Sequence, residues 1–173
     1  MDQVTSTSTA GTVGGPLPED PASAVALGAQ VLGSQDQSDF VWGHLSLRDP
    51  DGRGVWMKSA GYGFEEMVPR RIVLVNPDGA VLAGEGGRHA EYPIHTEIIA
   101  ARADVNCVVH THSASAVALG ATGTELLPVS HEGNLFVPPA IARFTVTGDL
   151  ILTRDLGRDL ARTLGDRNAA LMV

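Results

Sequence analysis

The stretch Cys107-Val108-Val109-His110-Thr111-His112-Ser113 decides the reading of this chain. A β-branched apolar run leads into two histidines spaced i, i+2. Successive side chains of a strand point to opposite faces, so His110 and His112 share one. The run predicts a buried central strand, residues 106–112, with both imidazoles aimed the same way at its end. Two imidazoles on one side of a rigid element supply half of a tetrahedral shell for Zn²⁺ or a similar divalent ion.

Outward from this strand, Ser113 is placed to cap a helix from Ala114 to Leu119, ended by Gly120. Upstream, two hairpin signals stand in sequence. Phe40–Arg48 and Gly54–Ser59 flank Asp49-Pro50-Asp51-Gly52, and Arg71–Val75 and Ala80–Ala83 flank Asn76-Pro77-Asp78-Gly79. Asp20-Pro21 opens a small-residue helix that reaches Leu32, and a second helix is expected from Ile94 to Arg102. Further strands are expected at Leu126–Val129 and Phe144–Val146, and another opens at Ala169–Val173. Asp155 is read as the cap of an amphipathic helix that runs to Leu164. Strands in runs, interrupted by a few helices, imply a sheet covered by helices.

The 173 residues suffice for one domain with a real core, since 43% are hydrophobic. Residues 1–19 are rich in Thr, Ser, Gly and Pro and are expected to form a disordered tail ahead of a domain over 20–173. A net charge of −8 argues against a nucleic-acid partner or an anionic membrane surface. The single cysteine, Cys107, excludes an intramolecular disulfide and is expected to be a buried structural thiol. No apolar run is long enough to span a bilayer and no secretory leader is visible, so a cytoplasmic location is the expectation.

Four segments surround the histidine pair: Trp42-Gly43-His44-Leu45-Ser46-Leu47-Arg48, Lys58-Ser59-Ala60-Gly61, His89-Ala90-Glu91-Tyr92-Pro93-Ile94-His95, and Arg102-Ala103-Asp104-Val105-Asn106 running into the pair itself. Together they resemble the class II aldolase/adducin family over most of residues 22–173. The resemblance implies a three-layer α/β/α sandwich around a mixed, mainly antiparallel sheet. It implies tetramers with active sites at subunit interfaces. His110 and His112 match two metal ligands of the family, and a third histidine is expected just beyond Val173. Glu91 matches the acid/base glutamate. Zinc is the expected ion, with manganese, cobalt or iron as alternatives.

The sequence departs from the sugar-phosphate aldolases where they cradle phosphate with small hydroxyl donors. Here those positions read Gly43-His44, Ser59-Ala60-Gly61 and His89-Ala90, with Lys58 and Arg88 nearby. Imidazoles and cations suit a carboxylate or phenolate better than a tightly packed phosphate. His44, Lys58, Ser59 and His89 are therefore expected to contact substrate, and His131, the remaining histidine after the pair, is assigned a substrate-facing place. His95 is balanced between a catalytic place and a structural hydrogen bond, Arg48 reads as a surface charge or a salt-bridge partner and Glu97 as a solvated helix face. The leading expectation is a metal-dependent decarboxylase of a hydroxylated aromatic or oxygenated carboxylic acid. The alternatives are an aldolase on an unphosphorylated hydroxy-keto acid, an iron oxygenase and a non-enzymatic adducin-like scaffold.

Overall fold

The structure is a computed structural model that describes residues 18–173. Residues 1–17 of the expected tail therefore lie outside the described residues. Helix α1, Pro21–Ser34, opens where the sequence places it, with the Asp20 carboxylate accepting from the Ser23 amide at 2.9 Å. Strands β1 (His44–Arg48), β2 (Val55–Lys58), β3 (Ile72–Val75) and β4 (Val81–Ala83) follow. Next come α2 (Tyr92–Ala101), β5 (Cys107–His110), α3 (Ala114–Thr122), β6 (Ala142–Phe144), α4 (Arg154–Leu164) and β7 (Ala170–Met172). β1 to β5 form one antiparallel sheet in the order β4-β3-β2-β1-β5, while β6 and β7 pair in parallel as a separate ribbon.

The sheet has a helix layer on each face. Leu45 and Ile72 face α1, packing with Val25, Ala26, Phe64 and Met67. Val55, Met57, Val73 and Val75 face the opposite way, into a core shared with α2 and α4. This is the expected α/β/α sandwich, in which parallel pairing is confined to the β6–β7 ribbon. Among the described residues, no helix is long and apolar enough to cross a membrane.

Period-2 alternation in β1 positions the chemistry. In His44-Leu45-Ser46-Leu47-Arg48 the leucines belong to the α1 side, which sends His44, Ser46 and Arg48 toward α2. Arg48 is not a surface charge: its guanidinium donates to the carbonyls of Ile99, Arg102 and Val105, closing the C-terminal end of α2. α2 is in turn buried over most of its length because α4 crosses it closely. A Cβ on Gly157 of α4 would stand 2.7 Å from the Pro93 carbonyl oxygen. That crossing also overturns the solvated reading of Glu97, which is buried and meets Arg154 at 2.7 Å.

Other expectations need correction. β5 is an edge strand, not a central one, and Cys107 on it is exposed. A hydrophobic run identifies a strand but not its neighbours; here a cavity of about 310 Å³ separates β5 from α4 and β7. β1 begins at His44, because Phe40 and Gly43 take left-handed conformations (φ 50° and 77°) that break the ladder before it. Leu126–Val129 forms no strand, β6 starts two residues earlier than expected, and α3 continues past Gly120 to end at Gly123. The cap of α4 is Thr153, whose hydroxyl accepts from the Leu156 amide at 3.3 Å, and Asp155 lies in the first turn.

Candidate active site

Antiparallel register sets His44 directly opposite His110. Their side chains share a face, and the rings stack with centroids 4.8 Å apart and planes 17° from parallel. α2 lies over the same face. Glu91 at its N-cap and His95 one turn later are i, i+4 neighbours, so both look down on β1. His89, just ahead of the cap, brings its ring to 4.1 Å from that of His44. His112, just past the end of β5, turns its ring back edge-on to His110. The fold thus gathers five imidazoles, those of His95, His44, His89, His110 and His112, with Glu91 among them.

The cluster has an outer and an inner end. At the outer end the Nε2 atoms of His110 and His112 meet at 2.9 Å. His112 Nδ1 is 3.0 Å from an Asp39 carboxylate oxygen, which fixes the proton on Nδ1 and leaves the Nε2 lone pair pointing at His110. Two ligand nitrogens on a tetrahedral zinc stand about 3.3 Å apart, given Zn–N bonds of about 2.0–2.1 Å. The pair needs only a few tenths of an ångström of opening to hold an ion, so its geometry and its imidazole chemistry fit one.

At the inner end His44 and His95 are fully buried. His44 Nδ1 lies 2.6 Å from His95 Nε2, and His95 Nδ1 lies 2.7 Å from the Ser46 hydroxyl. His44 Nε2 has no hydrogen-bond partner and stands 3.6 Å from Glu91 Oε2. The other Glu91 oxygen accepts the Ile151 amide at 3.0 Å, which holds the carboxylate in place although it is 4% exposed. Arg88 does not pair with it; its Nε donates to the Gly79 carbonyl instead. Burial holds His44 and His95 neutral, well below the ordinary imidazole range. Burial likewise pushes His89 and His110 down to about 4, with Glu91 opposing the shift at both. Neutral rings are what a metal requires.

His44, His89 and Glu91 also offer ligand atoms, all within 4.8 Å of one another. That spread is wide for a tetrahedral ion, and one Glu91 oxygen is already engaged by Ile151, so the compact His110–His112 pair is the better seat. Glu91, His110 and His112 line a cavity of about 630 Å³ that continues to Leu150, Asn168 and Leu171, a size suited to a small organic ligand.

The remaining sequence-nominated residues divide. Ser59 is buried beside the glycine loop, and its hydroxyl has no partner. Lys58 is fully buried, and its ammonium is engaged by the carbonyls of Val41 (3.0 Å) and Tyr62. Desolvation pushes it down to about 8, with Glu65 and Glu66 opposing. Its two carbonyl contacts make it a tie between the segment before β1 and the loop after β2. His131 is exposed in the loop ahead of the Gly133–Leu135 turn and does not line the cavity. The structure therefore does not bring His131 to the site. Sequence reasoning missed Asp39 and Ser46. Ser46 was readable from its i, i+2 spacing to His44, whereas nothing local to Asp39 signals a partner 73 residues away.

A three-layer sandwich on an antiparallel sheet, with an imidazole cluster between its edge strand and a covering helix, defines a class II aldolase-like α/β protein. Residues 23–173 match the family described as Class II Aldolase and Adducin N-terminal domain, and the chain belongs to that family. It is 30% identical over 165 residues to a 3,4-dihydroxyphthalate decarboxylase of Arthrobacter keyseri, covering 86% of this chain and 64% of that protein. It is also 30% identical over 115 residues to a 5-deoxy-D-ribulose 1-phosphate aldolase of Bacillus thuringiensis, covering 66% and 54%. Among solved structures, an aldolase II superfamily protein from Pseudomonas syringae superposes with a TM-score of 0.76 at 26% identity, over 88% of this chain and 62% of that one. The chain spans 64% and 54% of the length of these two curated relatives.

Proposed function

We propose that this chain carries the site of a divalent-metal-dependent carbon–carbon lyase, and that its reaction is decarboxylation of a hydroxylated aromatic or other oxygenated carboxylic acid. The observation that carries this reading is the convergence of His110 and His112 Nε2, at 2.9 Å, on the wall of a cavity that Glu91 also lines. An ion held there, zinc in the first instance, would supply Lewis-acid polarisation of a substrate oxygen next to the bond that breaks. Asp39 keeps the His112 lone pair turned toward that position.

Glu91 moves the proton. When the bond to the carboxylate breaks and CO₂ leaves, its electron pair stays on carbon and a proton must arrive there. Glu91 starts as the carboxylate, takes the proton of a substrate hydroxyl or of a solvent water, and delivers that proton to the carbon from the cavity wall, directly or through a water it holds, with one oxygen fixed by the Ile151 amide. His89 stands beside the cluster, and Ser59 is bridged to the neighbouring Arg88; both are buried polar groups suited to an anionic oxygenated substrate. The decarboxylase relative supports this choice. The sugar-phosphate relative supports the alternative of aldol cleavage with the same metal and base.

The test is direct. The full chain, loaded with Zn²⁺ or Mn²⁺, is incubated with carboxyl-labelled hydroxylated aromatic acids of the dihydroxyphthalate type and with hydroxy-keto acids. Labelled CO₂ is the expected product. Aldehyde release without CO₂ would move the protein to the aldolases, and oxygen uptake with iron would make it an oxygenase. Failure to bind any divalent ion would support the scaffold reading. Assembly into a tetramer with shared sites, as the family resemblance implies, is read separately by light scattering.

A further inference from the structure

The inner end of the cluster has a feature that the metal and the acid/base residue do not use: a buried chain of three polar groups ending in an unpartnered nitrogen. The Ser46 hydroxyl is fully buried, and His95 Nδ1 at 2.7 Å is its partner. If Ser46 accepted a proton from Nδ1, its own O–H would be left buried without an acceptor, which is costly. The hydroxyl therefore donates to Nδ1. A neutral His95 then carries its proton on Nε2 and donates it to His44 Nδ1 at 2.6 Å. A neutral His44, its Nδ1 lone pair used, carries its proton on Nε2. That nitrogen is buried, has no partner, and stands 3.6 Å from Glu91 Oε2. The opposite sense would strand the Ser46 proton and set an imidazole lone pair against the carboxylate.

We propose that Ser46 and His95 are positioning residues that lock His44 as its Nε2–H tautomer, and that His44, which stands behind the Glu91 wall of the cavity, binds substrate by donating this hydrogen bond to an anionic oxygen, a carboxylate or phenolate, that reaches it past Glu91. The proposal rests on the substrate class proposed above. It separates His44 from His110, whose ring it stacks on: one nitrogen of the stack is a donor to substrate, the other a lone pair for the ion. It also explains why Ser46 faces the α2 side of the sheet at a place where its strand neighbours Val55 and Met57 send apolar groups.

The experiment is nitrogen NMR on the full chain labelled with ¹⁵N-histidine, without and with Zn²⁺, His44 signals being assigned by their loss in His44→Gln. The shift of a neutral ring nitrogen separates N–H from lone pair. The expected pattern is a protonated Nε2 and an unprotonated Nδ1 on both His44 and His95, unchanged at His44 when zinc perturbs His110 and His112. Ser46→Ala should move part of the His44 proton to Nδ1 and Ser46→Thr should return it. Ser46→Ala should also weaken binding of the acid substrate about 10-fold, as for a hydrogen bond to a charged group, with zinc stoichiometry intact. A wild-type His44 protonated on Nδ1 would overturn the proposal, as would a tautomer indifferent to Ser46→Ala. The wild-type spectrum decides alone if that variant does not fold. Absence of bound zinc with the tautomer pattern intact would instead count against the metal-dependent reading.

Discussion

The two ends of the imidazole cluster are built from the same residue type and behave differently. At the inner end, His44 and His95 are fully buried and satisfy one another and Ser46. At the outer end, His112 and Asp39 have side chains 36% and 42% exposed, and the two Nε2 atoms point at each other. Burial removes the charged state of an imidazole and makes its hydrogen bonds decide which nitrogen holds the proton. Partial exposure leaves a lone pair that an ion can reach. The cluster thus sorts its rings into oriented donors and available ligands by depth. Glu91 stands between the two, held by backbone on one oxygen and facing His44 with the other.

The largest effect is expected where the two ends meet. Glu91→Gln keeps the shape and an oxygen for the Ile151 amide but cannot carry the proton. Turnover should fall about 10²–10⁴-fold, the usual worth of a general acid or base. Bound zinc should stay near wild type, measured by elemental analysis beside the CO₂ assay. Loss of the metal together with the activity would place Glu91 in the ligand set and erase the division between the two ends.

A smaller effect is expected at the outer end alone. Asp39→Asn replaces the acceptor of the His112 Nδ1 proton with an amide that can present either its oxygen or its NH₂ group. Zinc affinity should drop about 10–100-fold, the typical cost of removing an outer-shell partner of a ligating histidine. The nitrogen shifts of His44 and His95 should not move. Competition with a zinc chelator measures the first and NMR the second; an unaltered affinity would mean that Asp39 does not orient the ring.

What could be read in the sequence follows the range of the interactions. The two hairpins with their Asp-Gly turns and the Asp20 cap are local patterns, and the structure has them; the His-x-His pair is only half on its strand, because β5 ends at His110 and His112 lies beyond it. Gathering His44, His89 and Glu91 with the pair depended on recognising a family arrangement of distant segments, and the fold does bring them together. What stayed hidden depends on packing between elements far apart in the chain. The edge position of β5 and the exposure of Cys107 depend on which strand lies beside it. The burial of Glu97 depends on Gly157 letting α4 approach α2. Arg48 looked like a surface charge because its acceptors are backbone carbonyls at a helix end, which carry no sequence signal. Lys58 and His131 were plausible by residue type, but Lys58 is consumed by backbone carbonyls and His131 sits in an outlying loop.

The smallest expected effect tests the burial of the imidazoles through stability. In the unfolded chain, histidines take up protons near pH 6.5. In the folded chain burial holds His89 and His110 to about 4 and His44 and His95 well below the ordinary range. Between those values the unfolded state binds more protons, so stability is full above about 6.5 and is lost as pH falls toward about 4. The Asp49 carboxylate, held below its usual range chiefly by Arg53, contributes only at still lower pH, which keeps the windows apart. With chelator present, the chain should be less stable at pH 5 than at pH 7.5 by at least about 1 kcal/mol, a fall of about 2–4 °C of Tm per kcal/mol for a chain of this size. His89→Gln removes one titrating ring and should flatten the slope. A Tm that stays constant from pH 7.5 to 5 would mean that the buried imidazoles, His110 among them, take up protons without cost.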